Sequence, residues 1–248
     1  MPAPRSHRLT SAALALFALA ALAAPVRAAE GPVDTAYVFR EPSAGGTGKL
    51  YMGREIARTM GHAHADWLER SARAEEEAPD SLVAALGLAP TEVVADIGAG
   101  TGYFTFRMSP LVPRGRVLAV DIQPEMLEEI AQRMAAEGVD NVVPVLGTAT
   151  DPDLAENSVD VALIVDAYHE FSHPREMMVA IRQALRPGGR LVLVEFRLED
   201  PEVPIKPLHK MSQAQARAEM AAAGLEWVET RDMLPRQHFM VFRKPEAE

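Results

Sequence analysis

The 248-residue chain has no cysteine. That excludes disulfide staples, cysteine nucleophiles, thiolate zinc sites, thiolate capture of a soft substrate such as arsenite, and thiolate-held iron–sulfur clusters. Basic charge is also short: 25 Lys and Arg stand against 35 Asp and Glu, a formal net charge of −10. A surface of that sign matches nucleic acid poorly, because phosphates reward clustered Lys and Arg, so no nucleic-acid partner is expected. Only one apolar run is long, Ala12 to Ala24, and its 13 residues are too few to span a bilayer comfortably. It follows Arg5, His7 and Arg8 and leads into Pro25-Val26-Arg27-Ala28. A basic start, an apolar middle and a small-residue end read as an export signal over residues 1–28, cleaved after Ala28. The expected location is then the periplasm, with no stable membrane span after cleavage. The alternatives are a cytoplasmic protein and one anchored by an uncleaved N-terminus. Removing residues 1–28 takes away three arginines and no acid, so the mature charge becomes −13.

What is present supports one large core, since 48% of residues are hydrophobic. Beyond the signal, residues 29–89 read as an N-terminal helical extension or lid, and residues 90–248 as an α/β domain. Residues 29–52 lack periodicity and read as irregular. Gly45-Gly46-Thr47-Gly48-Lys49-Leu50 imitates a phosphate loop, but Leu50 replaces the magnesium-binding Ser/Thr and no strand precedes it, so a flexible turn is expected. Tyr51–Met60 suits a short helix, His62 and His64 read as surface residues, and Glu75-Glu76-Glu77 reads as a solvated face. Tyr51, Met52 and Trp67 suit either a lid or core packing. From Val93 onward strands and helices alternate, which implies right-handed crossovers and a mostly parallel sheet between two helical layers. The predicted strands are 93–97, 116–121, 141–146, 160–166 and 190–196, and Arg186-Pro187-Gly188-Gly189 reads as a stop. A helix capped by Ser212 and Gln215 follows, then an antiparallel pair at 225–230 and 239–243. By that assignment Gln237 and His238 fall at the end of the sheet away from the site.

The strand Val93-Val94-Ala95-Asp96-Ile97 runs directly into Gly98-Ala99-Gly100-Thr101-Gly102-Tyr103. A glycine-rich turn between a buried strand and a helix brings backbone close to a ligand. A dinucleotide fingerprint would place its third glycine where Tyr103 stands; here it comes early, at Gly102. The Asp-x-Gly-x-Gly-x-Gly pattern resembles the cofactor loop of class I S-adenosylmethionine (SAM)-dependent methyltransferases. A nicotinamide-dependent oxidoreductase and a ligand-free turn are the alternatives for the loop. The resemblance extends over residues 90–243 through Asp121, the 160–166 strand and Leu185-Arg186-Pro187-Gly188-Gly189. It implies a Rossmann-like three-layer fold with SAM as cofactor, and transfer of a methyl group to a small-molecule nucleophile by in-line displacement. An exported adenosyl-ligand-binding protein without catalysis is the second reading.

On that resemblance the cofactor residues are Asp96, Gly98, Ala99, Gly100, Gly102, Asp121, Ile122, Thr148, Ala149 and Asp166. Asp121 suits a ribose diol because a carboxylate accepts two hydrogen bonds side by side. Ile122 would lie on adenine, with Thr148 and Ala149 at the ring edge where the family often has an acid. Asp96 is expected to order the loop and approach the methionine amino group. His169 is the leading general base, since its ordinary pKa lies near working pH, and Glu170 would orient it. Tyr168, Arg197, Lys206 and His209 are the expected substrate-binding residues. No metal is expected; a site made of His169, Glu195 and His209 is the lesser alternative. Oligomeric state and acceptor are not legible.

Overall fold

The computed structural model describes residue 1 and residues 36–246. The chain divides into Met1–Asp34 and Thr35–Glu248, and every element below belongs to the second unit. The expected export signal lies outside the described residues. Among the described residues, no helix is long and apolar enough to cross a membrane.

The unit opens with three antiparallel strands, β1 (Tyr37–Phe39), β2 (Gly46–Tyr51) and β3 (Arg54–Ala57). The expected irregular stretch, flexible turn and 51–60 helix are therefore corrected to a β-meander. The reason is local. Tyr51 pairs with Arg54 across Met52 and Gly53, whose φ values are 48° and 89°. Positive φ at both central residues makes the primed two-residue turn whose twist matches a hairpin. Tyr37, Tyr51 and Ile56 form a small core of their own. Glu55 closes the preceding loop, accepting from the amides of Ser43 and Gly48 at 3.0 Å each and from Arg40 at 2.8 Å.

A run of 3-10 turns, His62–Glu69, leads to α1 (Arg73–Glu77) and α2 (Pro79–Ala85). Glu77 is not on a solvated face. It is 1% exposed, held by Arg73 at 2.6 Å and by Arg70, because α1 turns that side inward.

The main sheet follows the alternation read from sequence. Its elements are β4 (Val93–Ile97), α3 (Thr105–Met108), β5 (Arg116–Asp121), α4 (Pro124–Glu137), β6 (Val142–Leu146), β7 (Val159–Val165), α5 (Pro174–Ala184), β8 (Leu185–Arg197), β9 (Lys210–Met211), α6 (Gln213–Ala222), β10 (Glu226–Arg231) and β11 (Gln237–Arg243). Strand order is β10-β11-β8-β7-β4-β5-β6, with β9 beside β8. All pairs are parallel except β10·β11 and β11·β8. The expected Rossmann-like three-layer sandwich is the observed fold. Alternate residues feed its two cores: Val94, Val117, Leu163 and Val192 on the α2/α4 side, Ala95, Ile164 and Leu193 on the α5/α6 side. Burying each large side chain there contributes about 1.5–3 kcal/mol. Ser212 caps α6 as read, its Oγ accepting from the Gln215 amide at 3.2 Å.

Two boundaries differ from the sequence reading. Leu185 already pairs with Val159, and the register then shifts until Arg190 pairs with Val161. The Pro-Gly-Gly stretch is thus a bulge inside β8, with Gly188 at φ 74°. The second difference concerns direction. Because β11 runs antiparallel to β8, its first residue, Gln237, pairs with Phe196 near the end of β8. Gln237 and His238 therefore lie at the same sheet edge as the glycine loop, not at the opposite one.

Candidate active site

A cavity of about 740 Å³ opens at the carboxyl edge of the parallel strands, where β4 sits between β5 and β7. This is the switch point at which open α/β sheets hold ligands, since crossovers leave on opposite sides there.

The glycine turn forms the cavity's floor. Gly98 and Ala99 both donate to Val120 O, at 2.8 and 3.0 Å. The Gly100 amide donates to Asp121 Oδ2 at 2.9 Å, and the Gln123 amide donates to Oδ1 at the same distance. Asp121 is thus oriented by two backbone amides, and burial raises its carboxyl above the ordinary value. A carboxylate has about four lone-pair sites, so two remain for a diol. Gly98 has φ +74°, and a Cβ there would lie 2.9 Å from Ala167 Cβ, so the turn is shaped for close approach. Gly98, Gly100, Asp121, Ile122, Thr148 and Ala149 all line the cavity. Thr148 also braces its own turn, accepting from the Asp151 amide at 3.0 Å.

Three of the expected cofactor residues stand elsewhere. Ala99 and Gly102 are not in the cavity wall. A Cβ on Gly102 would meet the Phe106 ring at 2.8 Å, so this glycine serves helix packing. Asp96 points away too: it is 3% exposed and accepts from Thr105 Oγ1 at 2.6 Å, which ties strand to helix. Burial pushes its carboxyl up to about 6 against the pull of Thr105 and Arg73. It ties the strand to the helix after the loop and does not line the cavity. Asp166 does. It sits in the cavity wall at φ 48°, Oδ2 accepts from Gln237 Nε2 at 2.7 Å, and Oδ1 is buried without a partner among the described residues. An unpartnered buried carboxylate oxygen is what an ammonium group would satisfy. Burial and the nearby charges of Glu77 and Glu195 hold this carboxyl well above its usual range when no cation is present.

Met60, His64, Trp67 and Leu68 cover the floor. Gln123 pins this cover, accepting from the His62 amide at 2.8 Å and donating to Met60 O at 3.0 Å. Trp67 is in the wall; Tyr51 is buried in the meander core, and exposed Met52 forms the hairpin turn.

The far wall carries a cluster of side chains. His169, 2% exposed, has Nδ1 2.6 Å from Glu195 Oε2, and its amide donates to Glu195 Oε1 at 3.2 Å. Its Nε2 lies 3.1 Å from His209 Nδ1 and 3.8 Å from Glu170 Oε1. Glu170 is held by the Met60 amide at 2.9 Å. Burial alone would lower the His169 pKa, but the charge and hydrogen bond of Glu195 raise it above the ordinary value. His209 is pushed down to about 4 by burial and by neighbouring His169 and Lys206.

Lys206 and His209 line the cavity as expected. Tyr168 and Arg197 do not. Tyr168 is fully buried, donating to Glu219 Oε2 at 2.6 Å, because the turn after β7 points it into the α5/α6 core. Arg197 clamps the β10–β11 connection, bonding Asp232 and Pro235 O at 2.9 Å each. Sequence reasoning missed Met60, Arg73, Glu77 and Gln237. Only Gln237 carried a usable signal, the antiparallel direction of its strand.

Residues 94–189 match the model of a methyltransferase domain. Over this segment the chain is similar to methyltransferase domains. An uncharacterised methyltransferase of Mycobacterium tuberculosis is 43% identical over 102 residues, 41% of this chain and 38% of that protein. A ubiquinone/menaquinone biosynthesis C-methyltransferase of Ectopseudomonas mendocina is 33% identical over 112 residues, 44% of each chain. The chain therefore spans about two fifths of the length of the curated relatives it matches. Among solved structures, a SAM-dependent methyltransferase from Aquifex aeolicus superposes with a TM-score of 0.70 at 20% identity, covering 75% of this chain and all of that one. SAM is the cofactor the methyltransferase domain implies, and the glycine turn, Asp121 and the unpartnered Asp166 oxygen fit it.

Proposed function

We propose that this protein transfers a methyl group from SAM to a small-molecule nucleophile. One observation carries the reading: Gly100 and Asp121 meet through a 2.9 Å hydrogen bond in the floor of the cavity whose far wall holds His169. When bound, the cofactor supplies an electrophilic methyl on a sulfonium. Asp121 receives the ribose hydroxyls, Ile122 covers adenine, and Thr148 and Ala149 meet its edge. Asp166 Oδ1 takes the methionine ammonium, and Arg73, a residue of the cavity wall already paired with Glu77, balances the carboxylate. The chain's main contribution is orientation, which can supply several kcal/mol of the barrier. His169 takes the acceptor's proton through Nε2, with Glu195 holding its Nδ1–H and Glu170 beside it. Lys206 and His209 border the acceptor.

We further propose that residues 1–28 export the protein, and that its acidic surface does not bind nucleic acid. Cleavage after Ala28 in fractionated cells tests the first. Titration of the protein with SAM and S-adenosylhomocysteine should show saturable one-to-one binding, and absence of binding sinks the cofactor reading. Saturable binding with no transfer of labelled methyl to any compound in a broad extract would select the adenosyl-binding alternative instead.

A further inference from the structure

The far wall of the cavity holds three ligand atoms of the kind that bind transition metals. His169 Nε2, His209 Nδ1 and Glu170 Oε1 are separated by 3.1, 3.7 and 3.8 Å. A point equidistant from all three lies about 2.1 Å from each, the length of a zinc–nitrogen or zinc–oxygen bond. Two of the ligands, His169 and Glu170, are also oriented from behind. Glu195, buried and able only to accept, fixes the proton of His169 on Nδ1, which leaves the Nε2 electron pair facing His209 and Glu170. The Met60 amide holds the other oxygen of Glu170. All three residues border the cavity, so the remaining coordination positions would face whatever fills it.

We infer that His169, Glu170 and His209 bind one divalent transition-metal ion, with zinc the best match, at the acceptor end of the cavity. Two imidazoles and one carboxylate select such an ion over magnesium or calcium, which prefer oxygen alone. Three protein ligands with open positions are the pattern of a reactive site rather than a structural one. The use of the ion rests on the methyltransferase reading; the binding does not. It narrows the acceptor to a hydroxyl compound, an alcohol or phenol whose oxygen joins the ion. The O–H proton leaves to water, the oxygen lone pair forms the bond to the methyl carbon, and the C–S electron pair stays on sulfur as S-adenosylhomocysteine. The ion then takes over the activation that falls to His169 in the metal-free chain. The arrangement differs from the site anticipated from sequence: Glu195 stands behind His169, and Glu170 is the third ligand.

The test uses the tag-free full chain, stripped with chelator and dialysed against zinc. Metal analysis should find one ion per chain. His209→Ala and Glu170→Gln should each weaken zinc affinity by roughly 100-fold or more, since changing even an outer partner of a ligand costs about 10–100-fold. His62→Ala, an exposed histidine on the lid surface, should leave it unchanged. Cobalt substitution adds a visible absorption band that His209→Ala should abolish. No retained zinc in the wild type, or equal retention in both ligand variants, overturns the inference. A parallel titration with S-adenosylhomocysteine separates the two readings. Cofactor binding without zinc leaves the methyltransferase reading and removes the metal; zinc binding without cofactor does the reverse.

Discussion

At one end of the cavity, Gly98, Gly100 and Asp121 come from residues 98–121 and meet through backbone amides. At the other, His169, Glu170, Glu195 and His209 come from the turn after β7, from β8 and from the loop before β9, and meet through side chains. The first end depends on one strand–turn–helix unit and its neighbouring strand. The second depends on how β7, β8 and the 198–209 loop are stacked, and on the segment before His62 that supplies the Met60 amide. Damage at the first end should therefore weaken cofactor affinity, and damage at the second should slow turnover with cofactor affinity intact.

His169→Asn, whose amide nitrogen takes the place of Nδ1 and can still donate to Glu195, separates the ends most sharply. Turnover should fall by roughly 1,000-fold, within the range that removal of a general base produces. Affinity for S-adenosylhomocysteine should stay within about threefold of wild type. An equal loss in both would mean that the ends are not independent. Asp121→Ala is the reciprocal change. It deletes the acceptor for two backbone amides and two ribose hydroxyls, so cofactor affinity should drop ~100-fold, since each hydrogen bond to a charged group contributes about 1.5–3 kcal/mol. Titration calorimetry reads both effects.

A third prediction concerns the support beneath the cofactor end. Asp96 has its carboxyl raised to about 6 by burial, with Asp121 adding to the shift and Thr105 and Arg73 opposing it. Unfolded, it titrates near 3.8. Between those values the folded state holds more protons, so stability falls as pH rises from about 4 to about 6, by an amount on the order of 1–3 kcal/mol. The contribution is fully present below pH 4. Asp96→Asn should flatten that segment of the profile, read as the difference between wild-type and variant melting temperatures. A variant with an unchanged slope would remove Asp96 as its source.

The smallest effect is expected at Tyr168. It lies beside His169 in sequence yet faces the core. Tyr168→Phe should lower stability by ~1–2 kcal/mol through the lost bond to Glu219 and leave turnover and cofactor affinity within about twofold. A large loss of turnover would return Tyr168 to the acceptor wall.

Legibility followed the same division. The order of strands and helices from Val93 onward, the glycine turn, Asp121 and the α6 cap were readable because each is written in a short contiguous pattern. The β-meander was not. Gly46–Tyr51 carries no clear alternation, and its hairpin rests on positive φ at Met52, a residue that rarely adopts it. Tyr168 and Arg197 were misplaced because position after a strand says which edge a residue occupies, not which way its side chain turns. Gln237 was misplaced through strand direction, although the short 225–243 connection already implied antiparallel pairing.

By itself the order of residues determined the α/β alternation and the glycine turn, because a backbone-built turn needs only local spacing and residues that tolerate positive φ. Tertiary structure alone decided that Asp166 keeps one oxygen unpartnered among the described residues and that His169, Glu170 and His209 converge within reach of one ion. Those side chains are brought together by sheet register and by the placement of the loops around the cavity, which depend on packing across the whole unit and leave no mark in any single stretch.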